Sequence, residues 1–258
     1  MAALPIGVFD SGIGGLSVLR ALRAELPRED FVYFADTGHA PYGEREESFV
    51  SRRTLDVTRH LSKTHAIKAL VVACNTATAA AIHLVRAEHP GLTVIGVEPA
   101  LKPAAAMTRT RRVAVLATRG TLASAKFALL HASVAQAAHF VLQPCDGLAS
   151  AIESDDASRV AALCGQYMRS AGEFGTKEDQ IDTLVLGCTH YPFAAAEFGR
   201  LAGPGVQLVE TGAPVARQTR RLLETAGLLN EDGAGRLELL ATGSRDALVE
   251  AAHRWQLL

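Results

Sequence analysis

Two stretches of this chain repeat one pattern. Ile67 to Thr78 reads IKALVVACNTAT and Ile181 to Phe193 reads IDTLVLGCTHYPF. In each, an isoleucine stands seven positions before a cysteine, and an apolar run with β-branched residues lies between. Such a run, short and without helical periodicity, predicts a buried parallel strand. Each run ends at a thiol followed by small hydroxyl residues, and open α/β sheets hold their ligands beyond the carboxyl ends of the strands. Two matched strand-end thiols therefore constrain the fold to a repeated α/β unit and point to one site with a cysteine on each side.

The remaining strands repeat in step. Ile6 to Phe9, followed by Asp10-Ser11-Gly12, parallels Val113 to Leu116, followed by Ala117-Thr118-Arg119-Gly120-Thr121. Phe31 to Ala35 parallels the strand beginning at His139, and Val94 to Glu98 parallels Val206 to Glu210. The offsets Ile6 to Val113, Cys74 to Cys188 and Val94 to Val206 are 107, 114 and 112 residues, a nearly constant spacing. This predicts an α/β protein of two pseudo-symmetric, flavodoxin-like units with mostly parallel sheets and right-handed crossovers, the active site lying in the cleft between them. Residues 1–98 with 211–258 form the expected first domain and residues 99–210 the second. The last stretch holds an expected strand at Leu237 to Thr242 that returns to complete the first half.

Composition narrows the function. A formal charge of −1 gives no electrostatic case for nucleic acid or an acidic membrane surface. No apolar run reaches the roughly 18 residues of a membrane span, and MAALPIGVFD lacks the basic and apolar regions of a signal peptide. The expectation is a cytoplasmic protein. The four cysteines, at 74, 145, 164 and 188, have neither metal-ligand spacing nor the density of a disulfide framework. Cys145 and Cys164 fall outside any strand-end motif and read as structural. DSGIGG lacks the spacing of a dinucleotide fingerprint, and no phosphate-loop lysine follows it. Lys63, Lys68, Lys102, Lys126 and Lys177 all avoid the strand ends, which disfavours Schiff-base chemistry with pyridoxal phosphate. The loop Asp36-Thr37-Gly38-His39-Ala40-Pro41-Tyr42-Gly43 is dense in turn residues and follows a strand end, so backbone contact between Pro41-Tyr42-Gly43 and a substrate is expected. Arg109 to Arg112 reads as a solvated approach to the next strand.

FDSGIGGLSVL, YFADTGHAPYG, ACNTATA and LGCTHYPF, in this order and spacing, resemble the aspartate/glutamate racemase family. The resemblance runs from Ile6 to about Thr211. It implies that Cys74 and Cys188 are the two acid/base thiols, assisted by Asp10 and His190 respectively. Asp36 and Glu153 are implied as further acidic residues of the site. It also implies free glutamate as substrate, Cys74 acting on the D and Cys188 on the L enantiomer. It implies no cofactor and no metal, a homodimer, and a supply of D-glutamate to cell-wall peptidoglycan.

The chemistry agrees with that reading. Without an electron sink, a carbanion at the α-carbon must be stabilised by its surroundings while one thiolate takes the proton and the opposite thiol returns one. Free thiols titrate near about 8.5, close enough to neutrality for both roles. Each cysteine is expected just before a helix start, where backbone N–H groups and the helix dipole favour a thiolate. Ser11, Asn75, Thr76, Thr118, Thr121 and Thr189 are the further candidates for holding the substrate. Other readings remain open: a racemase of aspartate or another small acid, a hydrolase using Cys188 with His190, and a binding module for small dicarboxylates. Against the hydrolase, two residues so close in sequence need not bring their side chains together, and Cys74 would have no role.

Overall fold

A computed structural model describes residues 1–258, and the chain divides into two compact units. Met1–Val97 with Gly212–Leu258 form one, and Glu98–Thr211 the other. In the first unit β1 (Ile6–Asp10), α1 (Leu16–Glu25), β2 (Phe31–Ala35), α2 (Glu47–His65), β3 (Ala69–Val72), α3 (Asn75–Glu88) and β4 (Thr93–Gly96) alternate. The second holds α4 (Leu101–Met107), β5 (Arg112–Ala117), α5 (Arg119–Ala123), α6 (Ala125–Ala132) and β6 (His139–Pro144). It continues with α7 (Leu148–Glu153), α8 (Ala157–Ala171), β7 (Thr183–Leu186), α9 (Ala195–Ala202) and β8 (Gln207–Val209). The chain returns to the first unit through α10 (Gly212–Thr225), β9 (Leu237–Ala241) and α11 (Arg245–Arg254).

Every strand pair is parallel. The first sheet runs β4-β3-β1-β2-β9 and the second β8-β7-β5-β6. The first four strands of each thus have one order, as the sequence repeat predicts, and β9 extends the first sheet beside β2. The central strands are buried along their whole length, β1 and β3 without an exposed residue. That is why their sequences read as unbroken apolar runs.

Helix faces follow the same logic. In α2, Val50, Thr54, Val57, Thr58 and Leu61 are buried at helical spacing while most of the charged residues face outward, Arg53 excepted. In α8, Cys164 is fully buried with Tyr167 and Met168, and burial pushes its thiol up to about 12, fitting the structural role expected of it. No helix is long and apolar enough to cross a membrane.

Candidate active site

The first unit gathers its polar groups at the carboxyl edge of its sheet. Asp10 ends β1, Asp36 follows β2, and Cys74 lies two residues beyond β3. The chain turns sharply after Asp10, and Gly15 is what lets it. A Cβ there would stand 2.6 Å from the Asp10 Cβ and 2.9 Å from the Tyr33 hydroxyl. With glycine, the Gly15 N–H donates to Asp10 Oδ2 at 2.6 Å, and the Tyr33 hydroxyl donates to the Gly12 carbonyl at 2.7 Å. Cys74 caps α3: the Ala77 N–H donates to its sulfur at 3.4 Å. The sulfur is 3.8 Å from Ser11 Oγ. A thiolate here receives the helix N-terminal field as the sequence predicts. Asn75 beside it is 4% exposed, and both polar atoms of its amide lack a partner in the protein. A buried unpaired amide is unfavourable by about 1–3 kcal/mol, so Asn75 is primed for a polar ligand. Thr76 is buried next to it.

Asp36 sits where the sequence places it, but its carboxylate is taken up by the protein. Arg53 donates to both oxygens, at 2.8 and 2.9 Å, Tyr42 to Oδ2 at 2.5 Å, and Thr242 to Oδ1 at 2.8 Å. His39 Nδ1 lies 3.0 Å from Oδ1. Burial would raise the carboxyl pKa, but these bonds outweigh it and hold Asp36 ionised below the usual carboxylate range. Tyr42 is buried and its phenol is taken up by Asp36.

In the second unit Cys188 lies two residues beyond β7. Gly187 is needed at the strand exit, because a Cβ there would meet the Leu116 carbonyl at 2.8 Å. The helix-start expectation fails for this cysteine. It is followed by a tight 3₁₀ turn, Tyr191–Ala194, and α9 begins only at Ala195. Histidine stands in for the helix: His190 Nδ1 is 3.6 Å from Cys188 Sγ. Its Nε2 lies 2.5 Å from Glu153 Oε1. The side chains of Cys188 and His190 meet although so short a separation did not require it. Glu153 is the last residue of α7, whose Leu148 and Ile152 pack in the same buried cluster as Cys188 and Tyr191.

Burial alone would discharge His190, but the bonds to Cys188 and Glu153 outweigh it and raise its pKa well above the ordinary value. A raised folded-state pKa gives stability that is full below the unfolded value, about 6.5, and is lost as pH rises through the folded one. Glu153→Gln is therefore expected to lower the His190 ring titration midpoint and flatten the alkaline fall in melting temperature. It is also expected to reduce kcat about tenfold, part of the roughly 10²–10⁴ a positioned acid/base contributes. Ring NMR titration checks this; an unmoved midpoint would remove Glu153 from the role.

Thr189 is buried beside Cys188. Thr118 accepts the Thr121 N–H at 3.3 Å and donates to the Thr121 hydroxyl at 2.9 Å, so the pair caps α5. Cys145 is buried beyond β6, its thiol well above the ordinary pKa chiefly through burial. Sequence reasoning missed Tyr33, Arg53 and Thr242. Arg53 is one arginine among several on a charged helix, whereas Thr242, just past a strand end, carried a positional signal.

The model of the family described as Asp/Glu/Hydantoin racemase matches residues 6–219. The chain belongs to this family. A glutamate racemase of Methylococcus capsulatus is 50% identical over 237 residues, 91% of this chain and 85% of that protein. The crystal structure of a glutamate racemase isoform from Bacillus anthracis superposes with a TM-score of 0.86 at 31% identity, covering 99% of this chain and 95% of that one. That of a Francisella tularensis glutamate racemase in complex with D-glutamate gives a TM-score of 0.83 at 26% identity, over 100% and 95% of the two chains.

Proposed function

We propose that this chain is a cofactor-independent glutamate racemase, with Cys74 and Cys188 as the two thiols. The observation that carries this is the pair of cysteines at equivalent strand ends, each with its own polarising partner: the α3 N-terminus and the Asp10-Ser11 turn for Cys74, His190 with Glu153 for Cys188. In one direction the Cys188 thiolate removes the α-proton of L-glutamate, breaking C–H and forming S–H. The electron pair left on carbon delocalises into the α-carboxylate. The Cys74 thiol then gives its proton to the opposite face, which produces D-glutamate and leaves a thiolate. The reverse direction exchanges the roles. Charge on the carboxylate is met by hydrogen bonds from Ser11, Asn75, Thr76 and Thr189 and by the first N–H groups of α3. The Pro41-Tyr42-Gly43 backbone completes the substrate contacts. In this reading the enzyme works as a cytoplasmic homodimer and supplies D-glutamate for peptidoglycan.

A second reading has one specific observation behind it. Cys188, His190 and Glu153 form a nucleophile, base and orienting acid in hydrogen-bond sequence, the set a cysteine hydrolase uses. It leaves Cys74 idle. Incubation of reduced, dialysed protein with each enantiomer of glutamate in D₂O separates the two. The racemase loses optical rotation from both and gains deuterium at the α-carbon in the product. Absence of exchange with either enantiomer would refute the racemase.

A further inference from the structure

The carboxylate of Asp36 is the hub of a clamp that joins three distant parts of the first unit. Asp36 is fully buried, and its backbone N–H donates to the Asp10 carbonyl at 2.9 Å, next to the turn that carries Ser11. Arg53 reaches it from the middle of α2, one face of the guanidinium matched to both carboxylate oxygens. Thr242 reaches it from the end of β9, more than two hundred residues away in sequence. Thr242 Oγ1 has two partners: it donates to Asp36 and accepts the Gly38 N–H at 3.0 Å. The Gly243 N–H in turn donates to Thr37 Oγ1 at 3.2 Å. A side chain at Gly38 would be tight, since its Cβ would lie 3.2 Å from both the Thr242 carbonyl and hydroxyl oxygens. At the far end of the loop the Tyr42 hydroxyl donates to Asp36, and the ring packs against Phe9 and Phe49 with centroids 6.2 and 6.3 Å away. Tyr42 belongs to the same buried cluster as Cys74. The segment Thr37–Gly43 is thereby pinned at its start by Thr242, at its end by Tyr42, and beneath by Asp36.

We infer that Arg53 and Thr242 are positioning residues for substrate binding: through Asp36 they fix the Pro41-Tyr42-Gly43 backbone in the geometry that receives glutamate. The inference rests on the racemase reading for its ligand and deepens it. It gives the returning C-terminal segment a part in the reaction, since β9 supplies a residue that holds the substrate loop. It also gives Asp36 a structural role in place of direct contact with the substrate. Interactions that hold a preformed binding backbone contribute to ground state and transition state alike, so their loss raises KM and leaves kcat nearly unchanged.

The test measures racemisation kinetics and amide hydrogen exchange in Arg53→Met, Thr242→Val and Thr242→Ser, with Arg59→Met as the control. Arg59 lies on the same helix but pairs with Glu88 at the surface. Thr242→Val keeps the shape and removes the hydroxyl; Thr242→Ser keeps the hydroxyl. The expected result is a KM for glutamate raised about tenfold in Arg53→Met and about fivefold in Thr242→Val. kcat should stay within about twofold, Thr242→Ser should return to wild-type KM, and Arg59→Met should not differ from wild type. Exchange of the 37–45 amides should rise in Thr242→Val and Arg53→Met only. Unchanged KM in both clamp variants overturns the inference, as does a fall in kcat alone or a failure of serine to rescue. If the native protein does not racemise glutamate, the ligand assignment falls. The exchange data still decide the clamp: faster exchange confined to 37–45 sustains it, and unchanged exchange ends it.

Discussion

Serine at position 188 is expected to lower kcat by about a thousandfold, and serine at position 74 by a similar factor, from the roughly 10²–10⁴ of a positioned acid/base. A hydroxyl preserves the size of the thiol, but it is far too weak an acid to supply an oxyanion base near neutral pH. Both proton transfers lie on the path in both directions, so neither variant keeps a fast direction. Enantiomers have equal free energy, and kcat/KM must therefore fall by one common factor for L- and D-glutamate. Cys145→Ser is the control: contrary to the sequence expectation Cys145 directly follows β6 and shares the buried cluster of Cys188, but its sulfur donates to the Gln143 carbonyl and burial keeps it protonated. It should retain kcat within about twofold. Polarimetry on the purified variants decides the matter. Full racemisation by either serine variant would end the two-thiol mechanism.

The largest stability effect is expected at Lys68. Its ammonium lies 2.5 Å from Glu29 Oε2, with side-chain exposures of 1% and 2%. It also donates to the carbonyls of Ala2 and Leu228, and the other Glu29 oxygen accepts the Asn230 N–H at 2.9 Å. The cluster fastens the start of the chain, the approaches to β2 and β3, and the segment that returns towards β9. Lys68→Met would leave a buried carboxylate without its cation. Breaking such a pair from one side is unfavourable by about 3–5 kcal/mol, or on the order of 10 °C in melting temperature for a domain of this size. Removing both charges, in Glu29→Leu with Lys68→Met, should recover most of the loss, because the desolvation of the pair disappears with it. Calorimetry on the single and double variants checks this. A single variant melting within about 1 °C of wild type would show that the pair contributes nothing.

Cys74 and Cys188 stand out in the sequence because a parallel strand buried on both faces must be an unbroken apolar run, so the first reactive residue after it is conspicuous. The same rule exposed the four-strand repeat, and the turn residues of DSGIGG announced a sharp exit from β1 that Gly15 accommodates. Lys68 stands directly before β3, outside the strand-end motifs. Nothing local says that Glu29 would meet it.

The expectation of a helix N-terminus behind each cysteine held for Cys74 and failed for Cys188. Pro192, the second residue of the 3₁₀ turn, stands in the CTHYP motif, yet the sequence could not tell a helix start from a tight turn. His190 and Glu153 supply the polarisation instead, the latter from an α7 position whose surroundings had little distinction.

By itself the sequence determined the α/β repeat, the parallel strands and the two thiols, because burial periodicity and strand-end position are local properties written over a few consecutive residues. The tertiary structure alone decided which charges neutralise one another: Glu153 with His190, Arg53 with Asp36, Lys68 with Glu29. A buried ion needs only a partner within hydrogen-bond reach. That partner can come from any element the fold delivers, so sequence separation carries no trace of it.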